Sequence, residues 1–246
     1  MDSSNPALRR ADFTKSVSGA RTMSIAGTIA KSLALLALTL GTTLYTWSNA
    51  DTLGDVGTLF LGAAVGVLVV GGLTIFRPIV APITAPIFAV LEGLALGILS
   101  SLYSDRVRGV LQDAIALTLV VFGAVLVLYG MRVARADGRV RATIVIITFA
   151  VAMYYALDLA LWAGTGMRAP LMASSDIAGI GFSCFVGGLA AVNLVIDFDK
   201  IEEGVAAGAP KHLEWYSGFS LLVTLVWLYL EILRLLRRLR NRYASG

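Results

Sequence analysis

VGTLFLGAAVGVLVVGGLTIF, residues 56–76, is the stretch on which the fold class turns. A helix needs about 20 consecutive apolar residues to cross one hydrocarbon core, and this run supplies them. Six further apolar runs flank it, at 28–47, 79–103, 110–131, 140–162, 177–196 and 215–236. The whole chain is 57% hydrophobic and only 15% charged, with a mean hydropathy of +0.81, far from the composition of a soluble domain. The reading is an all-α polytopic membrane protein, a seven-helix transmembrane bundle over 28–236. A polar tail precedes it over 1–27, a basic tail follows over 237–246, and a chain of 246 residues leaves no room for a soluble domain.

The net charge of +4 and pI near 9.4 do not point to nucleic acid, because the basic residues sit at the edges of apolar runs and not on one polar face. They read instead as topology signals. Arg9, Arg10, Lys15, Arg21 and Lys31 precede or open the first run, Arg77 follows the second, Arg132, Arg135, Arg139 and Arg141 follow the fourth, and Lys200 and Lys211 follow the sixth. That places twelve bases on one side against three, Arg106, Arg108 and Arg168, on the other. Cytoplasmic loops carry the Lys and Arg excess, so the amino terminus is expected in the cytoplasm. The first run is expected to act as an uncleaved signal. Trp47, Tyr103, Trp162 and Trp215 mark run ends, where amphipathic rings prefer the headgroup zone. The tail breaks the pattern: Arg234, Arg237, Arg238, Arg240 and Arg242 follow a seventh crossing and so fall outside. Either the tail is a tolerated exception or one late segment does not cross completely.

Between the second and third runs stand Arg77, Pro78, Pro82 and Pro86, which predict a hairpin with an irregular start to the third span. Gly62 with Gly66, and Gly93 with Gly97, predict faces on which helices approach closely. The single cysteine, Cys184, lies in an apolar run, excludes an intramolecular disulfide and is expected to pack.

Glu92, Asp113, Asp158, Asp197, Asp199 and Glu231 fall inside or at the edge of the oily runs. A charge near the centre of a span costs about 2.5–3.5 kcal/mol, so four deep acids represent on the order of 10–14 kcal/mol unless they face protein, water or a cation. The acids are therefore expected to point inward. Each also has a plain structural explanation. Glu231 is followed at i+3 by Arg234, a ready helical ion pair. Asp197 has Lys200 at i+3, and with Asp199, Glu202 and Glu203 it fits a solvated helix end. Asp158 follows Tyr154 and Tyr155 by one turn, and Asp113 begins a helix, where the dipole favours an acid. Glu92 has no base within a turn and is the least easily dismissed. His212 titrates near neutral pH in principle but sits in a loop, and Asn193, one turn before Asp197, can bond across helices.

DFDKIEEG at 197–204, GAPK at 208–211, EWY at 214–216 and LYLEILRLL at 228–236, in that order, resemble the carboxyl-terminal signature of the Bax inhibitor-1 family. SSNPAL at 3–8 and APIFAVLEGLALG at 85–97 are similar to its bacterial YccA-like branch. The resemblance implies seven spans with the last near the centre of the bundle, and a pH-sensitive calcium leak in a bacterial plasma membrane. It also implies an acid pair on spans six and seven acting as proton sensor and gate. Those positions match Asp197 and Glu231, which would also meet calcium transiently, with Glu92, Asp158, Asp199 and Asp113 along the ion route. Arg77 and Arg234 are the candidate basic partners.

The chain departs from the family pattern at two places. The acid of the last span is Glu where relatives usually carry Asp, and an insertion at 204–215 separates the two acids. A hairpin turning near Ala207 sets Asp197 level with about Ser217 and leaves Glu231 roughly 21 Å further along the axis. The pair then meets only if residues 204–217 run along the membrane surface.

Calcium takes oxygen ligands, and a few loosely coordinating acids attract it without gripping it, which conduction requires. Two acids in one low-dielectric site share a proton, and its loss drives the helices apart. The expected function is thus a proton-gated calcium leak, with the lipid bilayer, calcium ions and protons as partners, no nucleic acid and no bound cofactor. The rival reading, implied by the same branch, is a regulator of a membrane-anchored AAA protease working through residues 1–19. A proton-coupled carrier is a third. An intramembrane serine protease at Ser183 lacks a buried base, since the only histidine is His212. No phosphate-cradling loop or His/Cys metal cluster is present, so an enzyme is not expected.

Overall fold

A computed structural model describes residues 22–102, 104–130, 138–174 and 176–244. The expectations for residues 1–21, Arg132 and Arg135, and for the side chains of Arg106 and Arg108, lie outside the described residues. Seven long helices run in order: α1 (Ile25–Ser48), α2 (Val56–Phe76), α3 (Ala81–Leu102), α4 (Ser104–Gly130), α5 (Gly138–Thr165), α6 (Ile177–Ala206) and α7 (Leu213–Ala244). Among the described residues six of them, all but α4, are long and apolar enough to cross a membrane. The described apolar part of α4 is Gly109–Val125, within a helix of 27 residues. The protein is a polytopic all-α membrane protein, and of these six helices α7 is the most buried, with 56% of its apolar stretch inside the protein against 17% for α1, α2 and α5.

Local chemistry sets the helix ends. Ser24 caps α1 by accepting the Gly27 N–H at 3.0 Å. Asp55 caps α2 through Gly57 N at 3.1 Å and through the Thr58 hydroxyl; these bonds, Thr58 first, hold its carboxyl below the usual range. Pro78 opens a short 3₁₀ turn, Pro82 falls in the first turn of α3 where no N–H is needed, and Pro86 continues inside the helix. The irregular start expected for the third span is this turn. Asp176 caps α6, and the Gly179 N–H on its Oδ1 at 3.1 Å is the largest influence lowering its pKa.

The chain forms two compact units. The first comprises Asn5–Arg108 and Asp197–Val223; the second comprises Gly109–Ile196 and Thr224–Gly246, with Met1–Ser4. In the first unit α3 packs on both α1 and α2. The α1–α3 seam is the glycine face expected at Gly93 and Gly97: a Cβ on Gly93 would lie 2.8 Å from Thr42 Cβ, and one on Gly97 2.7 Å from Thr43 O. Across that seam the Thr39 and Thr43 hydroxyls donate to Ala89 O and Gly93 O, each at 3.2 Å. The other expected face is half realised, since Gly66 meets Leu91 while Gly62 meets nothing within 4 Å. Phe88 of α3 also takes Phe219 of α7 edge-on, with centroids 4.8 Å apart.

In the second unit Ile144 and Val151 of α5 close a core with Val186, Leu189 and Ile196 of α6, joined by Tyr155, Phe182 and Trp227. Cys184 corrects an expectation here: on α6 it is exposed, because the buried stripe of that helix passes through Ser183, Val186 and Ala190 instead.

The insertion after the sixth span turns near Ala207: α6 continues to Ala206 and α7 starts at Leu213. Gly208 adopts φ +66°, Ala209 N donates back to Gly204 O at 3.0 Å, and Ala209 O accepts from Met23 N at 2.8 Å. A glycine in the left-handed region ends a helix within one turn, which is why the inserted residues make a tight corner. α7 then runs unbroken for 32 residues, about 48 Å, well beyond a hydrocarbon core of about 30 Å. Its length suffices for a complete crossing.

Candidate functional site

The second unit builds a buried polar cluster from three residues on two helices. Glu231 of α7, 1% exposed, accepts at Oε1 from the Tyr155 hydroxyl of α5 at 2.5 Å and from Nη1 of Arg234. The same Nη1 donates to the Tyr155 hydroxyl at 2.9 Å, and the guanidinium stands over the tyrosine ring, 5.1 Å from its centroid. Glu231 Oε2 is buried and accepts no hydrogen bond among the described residues. Helical spacing explains Arg234, which lies one turn along α7 from Glu231. Tyr155 arrives from 76 residues away.

Asp197 is fully buried and belongs to the first unit, and Glu231 belongs to the second. Beside it on α6, Asp199 and Lys200 are buried, and Lys200 Nζ stands 3.1 Å from Glu203 Oε2. Glu92 is half-buried on α3, and no hydrogen bond or ion pair reaches it from the described residues. Asp113 and Arg77 are exposed.

Asp158 is committed on both oxygens. Oδ1 accepts from Ala169 N at 2.8 Å and Arg168 Nε at 3.1 Å, and Oδ2 pairs with Arg168 Nη2 at 2.7 Å. The adjacent Tyr154 hydroxyl accepts from Leu171 N at 3.1 Å instead of bonding Asp158. Both side chains thus fasten the loop after α5 to the helix it leaves. Asn193 donates to Thr148 Oγ1 at 3.0 Å, a bond between α6 and α5. His212, in the corner between α6 and α7, is half-buried, and burial lowers its pKa. Ser183 accepts from Arg238 at 2.9 Å.

Two charged groups escaped the sequence reading. Glu214, fully buried in the first unit, accepts at Oε1 from Ser24 N at 3.0 Å and the Ser24 hydroxyl at 3.1 Å, and Lys31 Nζ lies 3.1 Å from its Oε2. It caps α1 from a residue 190 positions later, a partnership that no local spacing announces. Arg238, 4% exposed, turns into the second unit one turn beyond Arg234.

A family model described as Bax inhibitor 1 like matches residues 5–241, nearly the entire chain. The chain belongs to the Bax inhibitor 1 like family. No curated protein and no solved structure matches it. Membership in this family covers both units, including α6 with Asp197 and α7 with Glu231. The protease-regulator reading rests on residues 1–19, which lie outside the described residues.

Proposed function

We propose that the protein is a pH-sensitive calcium leak of the Bax inhibitor-1 type, resident in a bacterial plasma membrane with its amino terminus in the cytoplasm. Asp197 and Glu231 are its proton-responsive acids. The observation that carries this reading is Glu231: a carboxylate on a membrane helix, buried, held at Oε1 by Tyr155 and Arg234, with Oε2 unbonded among the described residues. An acid at that depth is retained at a cost, which its bonds to Tyr155 and Arg234 offset. Oε2 is the oxygen left to offer a passing hard cation. Protonation of the acids removes that affinity and closes the route; deprotonation restores it. Glu92 and Asp199 line the route, whereas Asp158 serves the loop to which both its oxygens are bound.

The test is calcium entry into proteoliposomes across pH. Flux rises with pH in the wild type, and Asp197→Asn combined with Glu231→Gln abolishes the pH dependence. Identical flux and pH profile in the double variant and the wild type would overturn the assignment of these acids. A wild type that passes no calcium at any pH would overturn the leak.

A further inference from the structure

Arg238 is a buried cation on a membrane helix that no carboxylate among the described residues meets in a hydrogen bond or close ion pair. Its guanidinium is met by neutral oxygens alone. Nη1 donates to Gly179 O and, at 2.9 Å, to Ser183 Oγ; Nη2 donates to Leu171 O at 2.5 Å and Met172 O at 3.2 Å. Three of the four acceptors are backbone carbonyls. Leu171 and Met172 lie in the four-residue helix Pro170–Ala173, whose Pro170 carbonyl is taken by Ser174 N while the carbonyls after it fall in the last turn, where a helix has no N–H of its own to offer them. The loop is held where it can present them, because Asp158 binds Ala169 N and Tyr154 binds Leu171 N. Removing the arginine side chain leaves an oxygen-lined recess, already assembled by other parts of the unit.

Carbonyl and hydroxyl oxygens converging on one point are the donor set of a hard-cation site, and such sites in membrane proteins replace a hydration shell with carbonyl dipoles. The structure assigns Arg238 as a tethered plug: its guanidinium occupies a cation-binding cage formed by Leu171 O, Met172 O, Gly179 O and Ser183 Oγ. With the plug in place, free cations are excluded from this end of the second unit, two turns along α7 from Glu231. Excluding them at this end controls flux only if the leak reading holds, but the cage itself does not depend on that reading.

The binding experiment uses the full chain in detergent, wild type against Arg238→Ala, melted in methylguanidinium, potassium, calcium or choline chloride at matched ionic strength. Ligand that fills the emptied cage stabilises the folded state, so methylguanidinium should raise the melting temperature of Arg238→Ala by about 5 °C over choline while leaving the wild type unmoved. Adding Ser183→Ala should cut that shift at least in half. Equal melting of Arg238→Ala in all four salts overturns the cage. If the alanine variant does not fold, Arg238→Gln, which keeps an amide donor, is put through the same comparison. If that also fails, recovery of folded protein by expression in methylguanidinium supports the cage, and no recovery overturns it. Flux separates the two readings. In proteoliposomes Arg238→Ala should pass cations several-fold faster than wild type, and methylguanidinium should suppress the excess. A variant that binds methylguanidinium while neither protein passes ions refutes the leak and keeps the cage. Wild-type flux without ligand-dependent stabilisation of the variant does the reverse.

Discussion

Tyr155 uses one hydroxyl twice, donating to Glu231 and accepting from Arg234. Tyr155→Phe removes both bonds while keeping the ring that Arg234 covers, and the expected loss is about 1–3 kcal/mol, read as a lower melting temperature in detergent. Unchanged melting would show that the ion pair alone holds Glu231. Asp158→Ala acts differently. It strands Ala169 N–H and frees Arg168, whose side chain is 47% exposed and therefore contributes little as a charge. The loss, about 1–3 kcal/mol, then comes chiefly from the buried amide, and it should appear as faster hydrogen exchange at Ala169 and Leu171. Exchange as slow as in the wild type would refute this fastening role. The contrast between neighbouring arginines shows what was legible in the sequence. Arg234 could be paired with Glu231 by counting three residues along one helix. The acceptors of Arg238 sit 55 to 67 residues away, two of them on the carbonyls of a helix too short for any periodic signal.

Helix contacts carry two further tests. A methyl on Gly97 would fall 2.7 Å from Thr43 O, a backbone atom that moves only with α1. Gly97→Ala should therefore cost about 1–3 kcal/mol through overpacking, whereas Gly62→Ala, with nothing within 4 Å, should be neutral or slightly stabilising through helix propensity. Equal melting of the two variants would show that the seam gives way freely. The sequence offered both glycine pairs on identical grounds, because spacing reveals a small face but not whether another helix lies on it. At the corner between α6 and α7, burial holds the His212 pKa below its ordinary 6.5, so folding favours the neutral ring. As pH falls the unfolded chain binds this proton first. The ring's contribution is therefore complete above pH 6.5 and is lost as the pH drops towards the folded-state value. His212→Gln should make the melting temperature fall less steeply below that pH, and an unaltered slope would remove His212 from the acid response.

Orientation belongs to the whole molecule. The seven apolar runs and the basic edges were legible because bilayer thickness and loop charge act on composition alone. The arginines in the last turns of α7 contradicted them because a sequence count treats every base as free in a loop. At least two are not free: Arg234 is tied to Glu231 and Tyr155, and Arg238 to the carbonyls after α5. A base bound inside the protein is a weaker topology signal than one in a solvated loop, and α7 is continuous from Leu213 to Ala244. The carboxyl end is accordingly expected on the face opposite the α6–α7 corner, outside if that corner is cytoplasmic. In a Cys184→Ser background, Ala207→Cys and Asn241→Cys both place a thiol at an exposed position. A membrane-impermeant maleimide applied to intact cells should label Asn241→Cys and spare Ala207→Cys, and inverted vesicles should reverse the result. Labelling of both positions from one face would mean that α7 does not cross, and the arginine tail would then be an ordinary cytoplasmic signal.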